Sequence, residues 1–410
     1  MAEPRELRIS HVGAQGDGVA RDNGTQVFIP FTLPGERVKA AVSGDQWELV
    51  EVLEPSPVRV EPVCRHFGQC GGCSVQHMAT EAYRNWKRDL VVSAFRARGL
   101  DCDVAAMVAH AGKRRRAVLA VERNEAGVVI GFHKGASHAL VAIEECPVLE
   151  PKIVASLPAL RALVVPLLSR HREARLTVTL TLSGLDVELD ATERRLTPEL
   201  RSHLAAEVNR LALSRLVVGG EIICETSPPM LRFGPAEVAL PPGVFVQAVA
   251  EAESEIARRI VDAVGKPKSV ADLFCGLGAF TFPLAMKTRV TAYDGDRRAI
   301  AALAAAAKRT QGLKPVTAQT RDLFREPLSP LELNEHDAIV FDPPRPGAEA
   351  QARRLAKSKV KTIVAVSCNP ATLARDARHL IDGGYRLQSA TPIDQFVYSA
   401  HVEVVAVFRR

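Results

Sequence analysis

Thr362-Ile363-Val364-Ala365-Val366-Ser367-Cys368-Asn369-Pro370-Ala371 is a short apolar run that leads directly into a helix start. The β-branched residues before Ser367 predict a buried strand, and Asn369 followed by Pro370 is typical of a helix N-terminus. Cys368 is therefore expected at the carboxyl edge of a sheet, where ligands of open α/β folds bind. A helix N-terminus also favours a thiolate and lowers the thiol pKa. The segment predicts a candidate nucleophile, although a packed small hydrophobe is the plainer interpretation of Cys368 taken alone.

Outward from this segment, the chain alternates between strands and helices from about residue 243. Apolar runs predict strands at 269–274, 289–294, 315–319, 337–342, 361–367, 385–391 and 402–409. Helical stretches separate the first six strands, but no comparable helix separates the last two, so the final strand should be reversed. Six parallel strands and one reversed strand predict a doubly wound α/β sheet.

Two other regions precede this alternation. Residues 7–55 contain about five short strands with glycine turns, which predicts an OB-like β-barrel, and this arrangement resembles a TRAM domain, an RNA-binding barrel. Residues 60–240 combine a helix at 79–98 with two hairpins, at 116–132 and 176–189, which predicts an α+β unit. The expected domains are therefore 1–59, 60–240 and 241–410.

Composition sets broad limits on location and partners. The chain has 410 residues, 24% of them charged, and a net charge of +6, which permits an anionic partner without requiring one. No apolar run approaches the roughly 18 residues of a transmembrane helix, and the N-terminus lacks the apolar core of a signal peptide. A cytoplasmic, reducing compartment is the expectation, in which the eight cysteines are not paired as disulfides.

A glycine-containing loop follows the first strand of the alternating region, in Asp272-Leu273-Phe274-Cys275-Gly276-Leu277-Gly278-Ala279-Phe280. Gly276 and Gly278 allow a ligand to approach the backbone closely. Asp294 ends the second strand, where a carboxylate can accept ribose hydroxyls of an adenosine. The third glycine of a dinucleotide fingerprint is absent. S-adenosylmethionine, which has no pyrophosphate, does not need that fingerprint.

Two further aspartates follow the third and fourth strands. Asp322 lies where a polar side chain usually lines adenine, and Asp342 begins Asp342-Pro343-Pro344-Arg345, in which the prolines stiffen the loop. Amino-group methyltransferases carry an aromatic residue after the two prolines. Arg345 at that place argues against methylation of an amine.

With Cys368 after the fifth strand and Asp342-Pro343-Pro344-Arg345 after the fourth, the chain resembles the bacterial RNA 5-methyluridine methyltransferases over nearly its whole length. The resemblance implies a class I methyltransferase fold and S-adenosylmethionine as cofactor. It implies Gln247, from Phe245-Val246-Gln247, as a cofactor contact. The other expected cofactor contacts are Phe274, Gly276, Gly278, Asp294, Asp322 and Asp342. Ala279 departs from the family, since many members have a cofactor-contacting Asn there.

The resemblance also assigns the chemistry. Uracil C5 is a poor nucleophile, and addition of a thiolate at C6 turns C5 into an enolate carbon that can accept a methyl group. A carboxylate must then remove the C5 proton before the thiolate leaves. The expected nucleophile is Cys368, and the expected general base is Glu403 in His401-Val402-Glu403.

Four cysteines form a separate group, in which Cys64, Cys70 and Cys73 are followed at a distance by Cys146. Four thiolates can hold zinc or an iron–sulfur cluster, and Cys-x2-Cys spacing serves both. The gap between the first two cysteines is loose for a zinc knuckle. The resemblance favours a [4Fe-4S] cluster, with zinc as the alternative, and we expect a structural role that ties residue 146 to residue 64.

RNA contacts are expected at two places. Lys113-Arg114-Arg115-Arg116 is interpreted either as a phosphate-binding run or as a solvated face. His66 and Phe67, within the cysteine loop, are candidates for stacking on a flipped base, although a buried Phe67 is equally consistent with the pattern.

The expected substrate is 23S ribosomal RNA, because ribosomal members of the family more often carry the barrel. One alternative is the same chemistry on a T-loop uridine of transfer RNA. Another is a non-catalytic RNA-binding protein, which failure to bind S-adenosylmethionine would favour. A monomer without membrane association is the remaining expectation.

Overall fold

The computed structural model describes residues 3–110, 112–125, 127–135, 137–170, 172–190 and 196–410. Three regions follow one another along the chain: a β unit, a mixed sheet with helices on one face, and a doubly wound α/β sheet.

The N-terminal region is an all-β unit of six strands. They are β1 (Arg5–Arg8), β2 (His11–Val12), β3 (Gly18–Asp22), β4 (Thr25–Ile29), β5 (Arg37–Ser43) and β6 (Gln46–Glu54). One sheet has the order β1-β5-β6 and the other β2-β3-β4. The two sheets share a core that includes Leu7, Ile9, Val27, Ile29 and Val38. The predicted small β unit is confirmed, and β2 is a short strand that the sequence pattern did not indicate.

The central region is built on one seven-stranded sheet of order β13-β12-β11-β10-β7-β8-β9. Its elements are α1 (Thr80–Arg96), β7 (Arg116–Asn124), β8 (Gly127–His133), β9 (Leu140–Ala142), α2 (Pro151–Val164), β10 (Glu173–Thr181), β11 (Gly184–Leu189), α3 (Pro198–Arg210), β12 (Leu213–Val218) and β13 (Glu221–Glu225). The predicted β7–β8 and β10–β11 hairpins are antiparallel. The β11–β12 pair is parallel, because α3 carries the chain back across the sheet.

Helices α2 and α3 cover one face of this sheet. Leu157 of α2 and Leu204 of α3 pack with Leu119, Leu176 and Val187, which are spaced so that they share that face. The opposite face carries the polar and charged residues of the same strands. A hairpin of β14 (Met230–Phe233) and β15 (Ala236–Ala239) then leads into the C-terminal region.

The C-terminal region is the predicted doubly wound sheet, and the strand order is β18-β17-β16-β19-β20-β22-β21. Its elements are α4 (Ala250–Val264), β16 (Ser269–Leu273), α5 (Thr281–Ala285), β17 (Arg289–Asp294), α6 (Arg297–Arg309), β18 (Val316–Thr320), α7 (Pro330–Leu333), β19 (Ala338–Phe341), α8 (Glu349–Leu355), β20 (Thr362–Ser367), α9 (Pro370–Asp382), β21 (Arg386–Ile393) and β22 (Glu403–Arg409). Strand β22 is antiparallel to both of its neighbours, so the expectation of one reversed strand is confirmed.

The reversed strand has a consequence for the site. In β22, Val404 pairs with Ser367 of β20. The amino end of β22, which begins at Glu403, therefore lies at the same edge of the sheet as the carboxyl end of β20, which precedes Cys368. This pairing brings Cys368 and Glu403, which are 35 positions apart in the chain, to one edge of the sheet.

Helix α1 belongs to the central region in sequence but packs on the C-terminal sheet. Val91 and Phe95 of α1 share a core with Leu373 of α9 and Phe408 of β22. The chain after α1 also runs beside β21, since Val104 and Val108 form parallel bridges with Ala390 and Ile393. The central region is thus joined to the C-terminal sheet by its own first helix.

Candidate active site

Cys368 lies between β20 and α9, as the sequence predicts. The Asn369 side chain caps α9 by accepting a hydrogen bond from the Ala371 amide at 3.1 Å, and Pro370 is the first helical residue. The expectation of a lowered thiol pKa is wrong for this arrangement. Burial, together with the Glu403 and Asp342 carboxylates, raises the pKa of Cys368 to about 11 against the opposing effect of Arg345.

Glu403 is buried at the start of β22 and has 2% of its surface exposed. Its carboxylate accepts a hydrogen bond from Gln395 Nε2 at 3.1 Å. Burial raises the pKa of Glu403 well above its ordinary value, and the nearby Asp342 carboxylate acts in the same direction. In the resting protein, this carboxyl therefore favours its protonated form.

A chain of amide hydrogen bonds connects Glu403 to the loop after β19. Gln395 Nε2 also donates to Gln247 Oε1 at 2.8 Å, and Gln247 Nε2 donates to Asp342 Oδ2 at 3.1 Å. The Gln247 hydrogen bond lowers the pKa of Asp342, but burial raises it by more. Two glutamines thus hold the two carboxylates in fixed positions.

The loop after β16 adopts conformations that depend on glycine. The φ angle is +52° at Gly276 and +92° at Gly278, a region that side chains other than glycine rarely adopt. A Cβ atom on Gly278 would lie 2.7 Å from the Phe282 ring and 3.0 Å from Leu303. Asp294 supports the same loop, since its Oδ2 accepts the Gly276 amide at 2.9 Å.

Asp322 orders the turn after β18. Its Oδ1 accepts the backbone amides of Phe324 at 3.0 Å and Arg325 at 3.2 Å. The Phe324 ring then lies 5.3 Å from the Phe274 ring. Two aromatic faces and one carboxylate therefore flank this part of the edge, a combination that suits a flat, hydrogen-bonding ring such as adenine.

These residues open onto one cavity of about 620 Å³. Eight of the nine residues predicted for catalysis or cofactor binding line it: Gln247, Phe274, Gly276, Asp294, Asp322, Asp342, Cys368 and Glu403. Gly278, the ninth, lies behind the loop against Phe282 and Leu303.

Several residues of the site were not predicted from the sequence. Phe396 and His401 line the cavity and contact each other edge to face, with ring centroids 5.8 Å apart. His401 Nδ1 lies 3.4 Å from the Arg345 guanidinium. Phe396 and His401 belong to the connection between β21 and β22. The sequence of this connection has no periodic pattern, and only its position beside Glu403 could have indicated that it lines the site.

A buried lysine on α1 holds this connection in place. Lys87 Nζ donates to Asp394 Oδ1 at 2.6 Å and to the carbonyl oxygens of Phe396 and His401, both at 2.8 Å. The Tyr83 hydroxyl donates to Asp394 Oδ2 at 2.7 Å. All three ammonium donors of Lys87 are used, so the loop beside Glu403 is fixed from a helix of the central region.

The basic run 113–116 divides into different environments. Arg115 is buried and pairs with Glu253 at 2.8 Å, so the interpretation of this residue as a phosphate contact is wrong. The Arg114 guanidinium lies 5.7 Å from the centre of the Phe396 ring. Phe67, a stacking candidate, packs instead on Phe31, with ring centroids 5.1 Å apart.

The four predicted metal ligands, Cys64, Cys70, Cys73 and Cys146, line a second cavity of about 50 Å³. Burial, together with the neighbouring Cys146 and Cys70, raises the pKa of the Cys73 thiol to about 11. Within the described ranges, no group of three or more His, Cys, Asp or Glu side chains is arranged to hold a metal ion.

None of the helices in the described part of the chain combines the length and the apolar composition that crossing a bilayer requires.

The C-terminal region has a doubly wound sheet with one reversed strand, a glycine loop after the first strand and carboxylates at the carboxyl edge. Together these features define a class I methyltransferase that uses S-adenosylmethionine. Comparison with known proteins agrees. The family model described as tRNA (Uracil-5-)-methyltransferase matches residues 238–410, and the TRAM domain model matches residues 3–46.

Full-length relatives carry the assignment further. The chain is 48% identical to an RNA methyltransferase of Brucella suis, over 99% of this chain and 98% of the relative. It is 36% identical to the 23S rRNA (uracil(1939)-C(5))-methyltransferase RlmD of Chromohalobacter salexigens, over 98% of this chain and 89% of that one. The chain belongs to the RNA uracil-5-methyltransferase family with an N-terminal TRAM domain, and it is an RNA uracil-C5 methyltransferase.

A solved structure shows the same fold. The Pyrococcus abyssi tRNA (uracil-54, C5)-methyltransferase in complex with S-adenosyl-L-homocysteine aligns with a TM-score of 0.76. The alignment covers 98% of this chain and 99% of that chain, at 21% identity.

Proposed function

We propose that this chain methylates C5 of a uridine in 23S ribosomal RNA through a transient bond between Cys368 Sγ and uracil C6. One observation carries the proposal: the thiol of Cys368 and the buried carboxylate of Glu403 line the same cavity at the same sheet edge. Similarity to the Chromohalobacter salexigens RlmD supports ribosomal RNA as the substrate.

The thiol and the carboxyl would act in sequence. The Cys368 thiol loses its proton to solvent, and the thiolate sulfur adds to C6, so that the C5–C6 electron pair moves toward C5 and the C4 carbonyl. When bound, S-adenosylmethionine supplies an electrophilic methyl group for C5. Glu403 then removes the C5 proton, the C5–C6 double bond forms again, and the C6–S bond breaks to release the thiolate.

The electrostatics of the site separate these two roles in time. A negative charge on Glu403 raises the pKa of the Cys368 thiol, so in the resting protein ionisation of either group disfavours ionisation of the other. Once sulfur is bonded to C6 it is uncharged, and this opposition disappears. Arg345 is the cation that lowers the pKa of Cys368, and we assign it to stabilising the thiolate before attack.

The cofactor contacts follow from the loop geometry. Asp294 is the last residue of β17 and lies beside the Gly276 amide, where a carboxylate suits ribose hydroxyls. Phe324 and Phe274 offer aromatic faces for adenine next to Asp322. Gln247 and Asp342 lie on the side of the cavity near Glu403, which suits the methionine end of the cofactor.

Single variants at Cys368 and Glu403 test the adduct. RNA that contains 5-fluorouridine should trap wild-type protein as a complex that survives denaturing gels, and Cys368→Ala should form none. Glu403→Gln should accumulate an adduct with ordinary RNA, because the C5 proton cannot be removed. A covalent complex formed by Cys368→Ala would refute the assignment of the nucleophile.

The substrate needs a separate test. A deletion strain should lose one 5-methyluridine from 23S ribosomal RNA, and transfer RNA should keep its own. Loss of the T-loop 5-methyluridine instead would assign the chain to transfer RNA.

We also propose that Cys64, Cys70, Cys73 and Cys146 hold a [4Fe-4S] cluster with a structural role. All four thiols line one cavity, and a cubane needs thiolates placed further apart than one metal ion does. Anaerobic purification should give a brown protein with iron and sulfide in equal amounts, whereas a colourless protein that contains zinc would refute the cluster.

A further inference from the structure

We propose that a cavity between the open face of the central sheet and the start of the catalytic region binds a backbone phosphate of the substrate RNA, with Arg116 as its ligand. The cavity has a volume of about 320 Å³. The proposal rests on the proposed function, because it places the RNA relative to that active site.

Cross-strand pairing forms the floor of this cavity. Val118, Thr177, Glu188 and Val217 are consecutive partners on β7, β10, β11 and β12, so their side chains form one row on the sheet face opposite α2 and α3. Arg116 lies two residues from Val118 and points to the same face. The cavity wall opposite the sheet includes Pro242, Gly243 and Arg298.

Arg116 differs from the other arginines of this face in having no partner. Its guanidinium is half-buried, yet it makes neither a hydrogen bond nor an ion pair with any residue in the described ranges. Arg215 lies in the adjacent cross-strand row with Arg116 and Asp186, and it pairs with Asp186 through two hydrogen bonds of 2.9 and 2.8 Å. Arg175 pairs with Asp190 at the cavity rim.

The acidic groups nearby are already occupied. Glu188 Oε1 accepts the Gly243 amide at 2.8 Å and lies 3.9 Å from the Arg215 guanidinium. The carboxylate of Asp296 pairs with Arg298 at 2.9 Å. A partly buried guanidinium, which stays charged at every physiological pH, is costly without a full counter-charge. Burial lowers the pKa of Arg116, and the Glu188 carboxylate raises it by less. The charge of Arg116 is therefore only partly compensated within the protein, and a phosphate would complete the compensation.

The position of the cavity favours a phosphate of RNA. Gly243, in its wall, is followed by Val244 and Phe245, which line the active-site cavity. Phe245 is 67% exposed and lines the active-site cavity, two residues along the chain from Gly243 of the Arg116 cavity. An RNA strand that reaches the active site would stack a base on this ring and place a backbone phosphate on Arg116, which is how aromatic rings and cations together bind single-stranded RNA.

The test measures RNA affinity as a function of salt, with Arg116→Gln made in a Cys368→Ala background so that no covalent adduct contributes. Arg210→Gln is the matched control, because Arg210 is exposed on α3 over the other face of the same sheet. Arg116→Gln should weaken RNA binding about tenfold. It should also reduce the slope of log affinity against log salt by about 0.7 to 1. Arg210→Gln should change neither quantity.

Further measurements decide between the outcomes. Arg116→Lys should recover the salt slope but only part of the affinity, since lysine keeps the charge and loses the planar fork. Equal slopes for Arg116→Gln and Arg210→Gln would overturn the proposal. Since binding is measured without turnover, an incorrect catalytic assignment would leave these outcomes unchanged.

Discussion

Lys87 Nζ lies 2.6 Å from Asp394 Oδ1, although the two residues are 307 positions apart in the chain. Both side chains are nearly inaccessible, with exposures of 0% and 7%. The ion pair connects α1 to the loop that carries Gln395, Phe396 and His401, and Gln395 is the hydrogen-bond donor to Glu403. The position of the Glu403 carboxylate therefore depends on a helix that precedes the C-terminal region.

Lys87→Met should impair both stability and turnover. The substitution keeps the volume but leaves Asp394 buried without a counter-charge, which costs about 3–5 kcal/mol in the free energy of unfolding. The loop that contacts Glu403 should shift, and kcat should fall by about 100-fold if the displacement reaches 1 Å. Chemical denaturation and single-turnover methylation measure the two effects.

Two controls separate this role from general damage. Arg84→Gln, on the exposed side of α1, should be nearly neutral because its pair with Glu81 is solvated. Lys87→Met combined with Asp394→Asn should recover stability but not kcat, since the lysine contacts to the two loop carbonyls stay broken. Full recovery of kcat in the double variant would contradict a positioning role.

The sequence allowed Cys368 to be placed because its environment is local. A β-branched run, an N-cap and a proline lie within ten residues of it, and each favours the same strand-to-helix junction. Glu403 was identified through the family resemblance alone, since one acidic residue on a final strand carries no distinguishing pattern. Lys87 could not be identified, because a lysine on a helix is normally solvated and its burial depends on a loop more than 300 residues away.

The basic run at 113–116 shows the same limit. Four consecutive cations suggest one function, but successive strand residues point to opposite faces. Arg115 is consequently buried against Glu253, while Arg116 faces the cavity on the open side of the sheet. Whether each residue of the run faces solvent depends on the packing of α2, α3 and α4. The four residues of the run do not determine that packing.

Glu403→Gln should abolish turnover and stabilise the protein above about pH 5. Burial raises the pKa of Glu403 in the folded state, so between its ordinary value of 4.5 and the raised value the native state holds more protons than the unfolded state. The contribution of Glu403 to the free energy of unfolding therefore falls as pH rises through that window. The melting temperature of Glu403→Gln should exceed that of wild type by a margin that grows between pH 5 and pH 8, and a constant margin would contradict the raised pKa.

The methylation rate of the wild-type protein should rise as Glu403 ionises, whereas the free energy of unfolding falls. Glu403 must be deprotonated to remove the C5 proton, so single-turnover methylation should slow as pH falls through the raised pKa. The acid limb of the rate profile should lie well above pH 4.5, the ordinary value for a glutamate. A rate that is independent of pH down to 5 would argue against Glu403 as the base.

Arg115→Met should destabilise the protein by about 3–5 kcal/mol, because it leaves Glu253 buried and unpaired. Burial already raises the pKa of Glu253 to about 7 even with the arginine present. Adding Glu253→Leu should restore most of the loss, since an apolar pair needs no counter-charge. Lys113→Met, at the exposed start of the run, should change the free energy of unfolding by less than about 0.5 kcal/mol. Urea denaturation of wild type, Arg115→Met, Glu253→Leu and the double variant measures the cycle, and Lys113→Met is measured beside them as the control.

Gly278→Ala should weaken S-adenosylmethionine binding more than its effect on stability alone explains. The methyl group would enter a backbone with φ of +92° and lie 2.7 Å from the Phe282 ring, so the loop after β16 must move. Gly265→Ala is the matched control, because Gly265 also has a positive φ, of +75°, but ends α4 with nothing within 4 Å of its added Cβ. Both variants should pay about 1–2 kcal/mol for the left-handed backbone, while only Gly278→Ala should raise the Kd for the cofactor in calorimetry. Equal cofactor affinities in the two variants would mean that the loop relaxes without moving Gly276 and Asp294, and that its close packing serves stability alone.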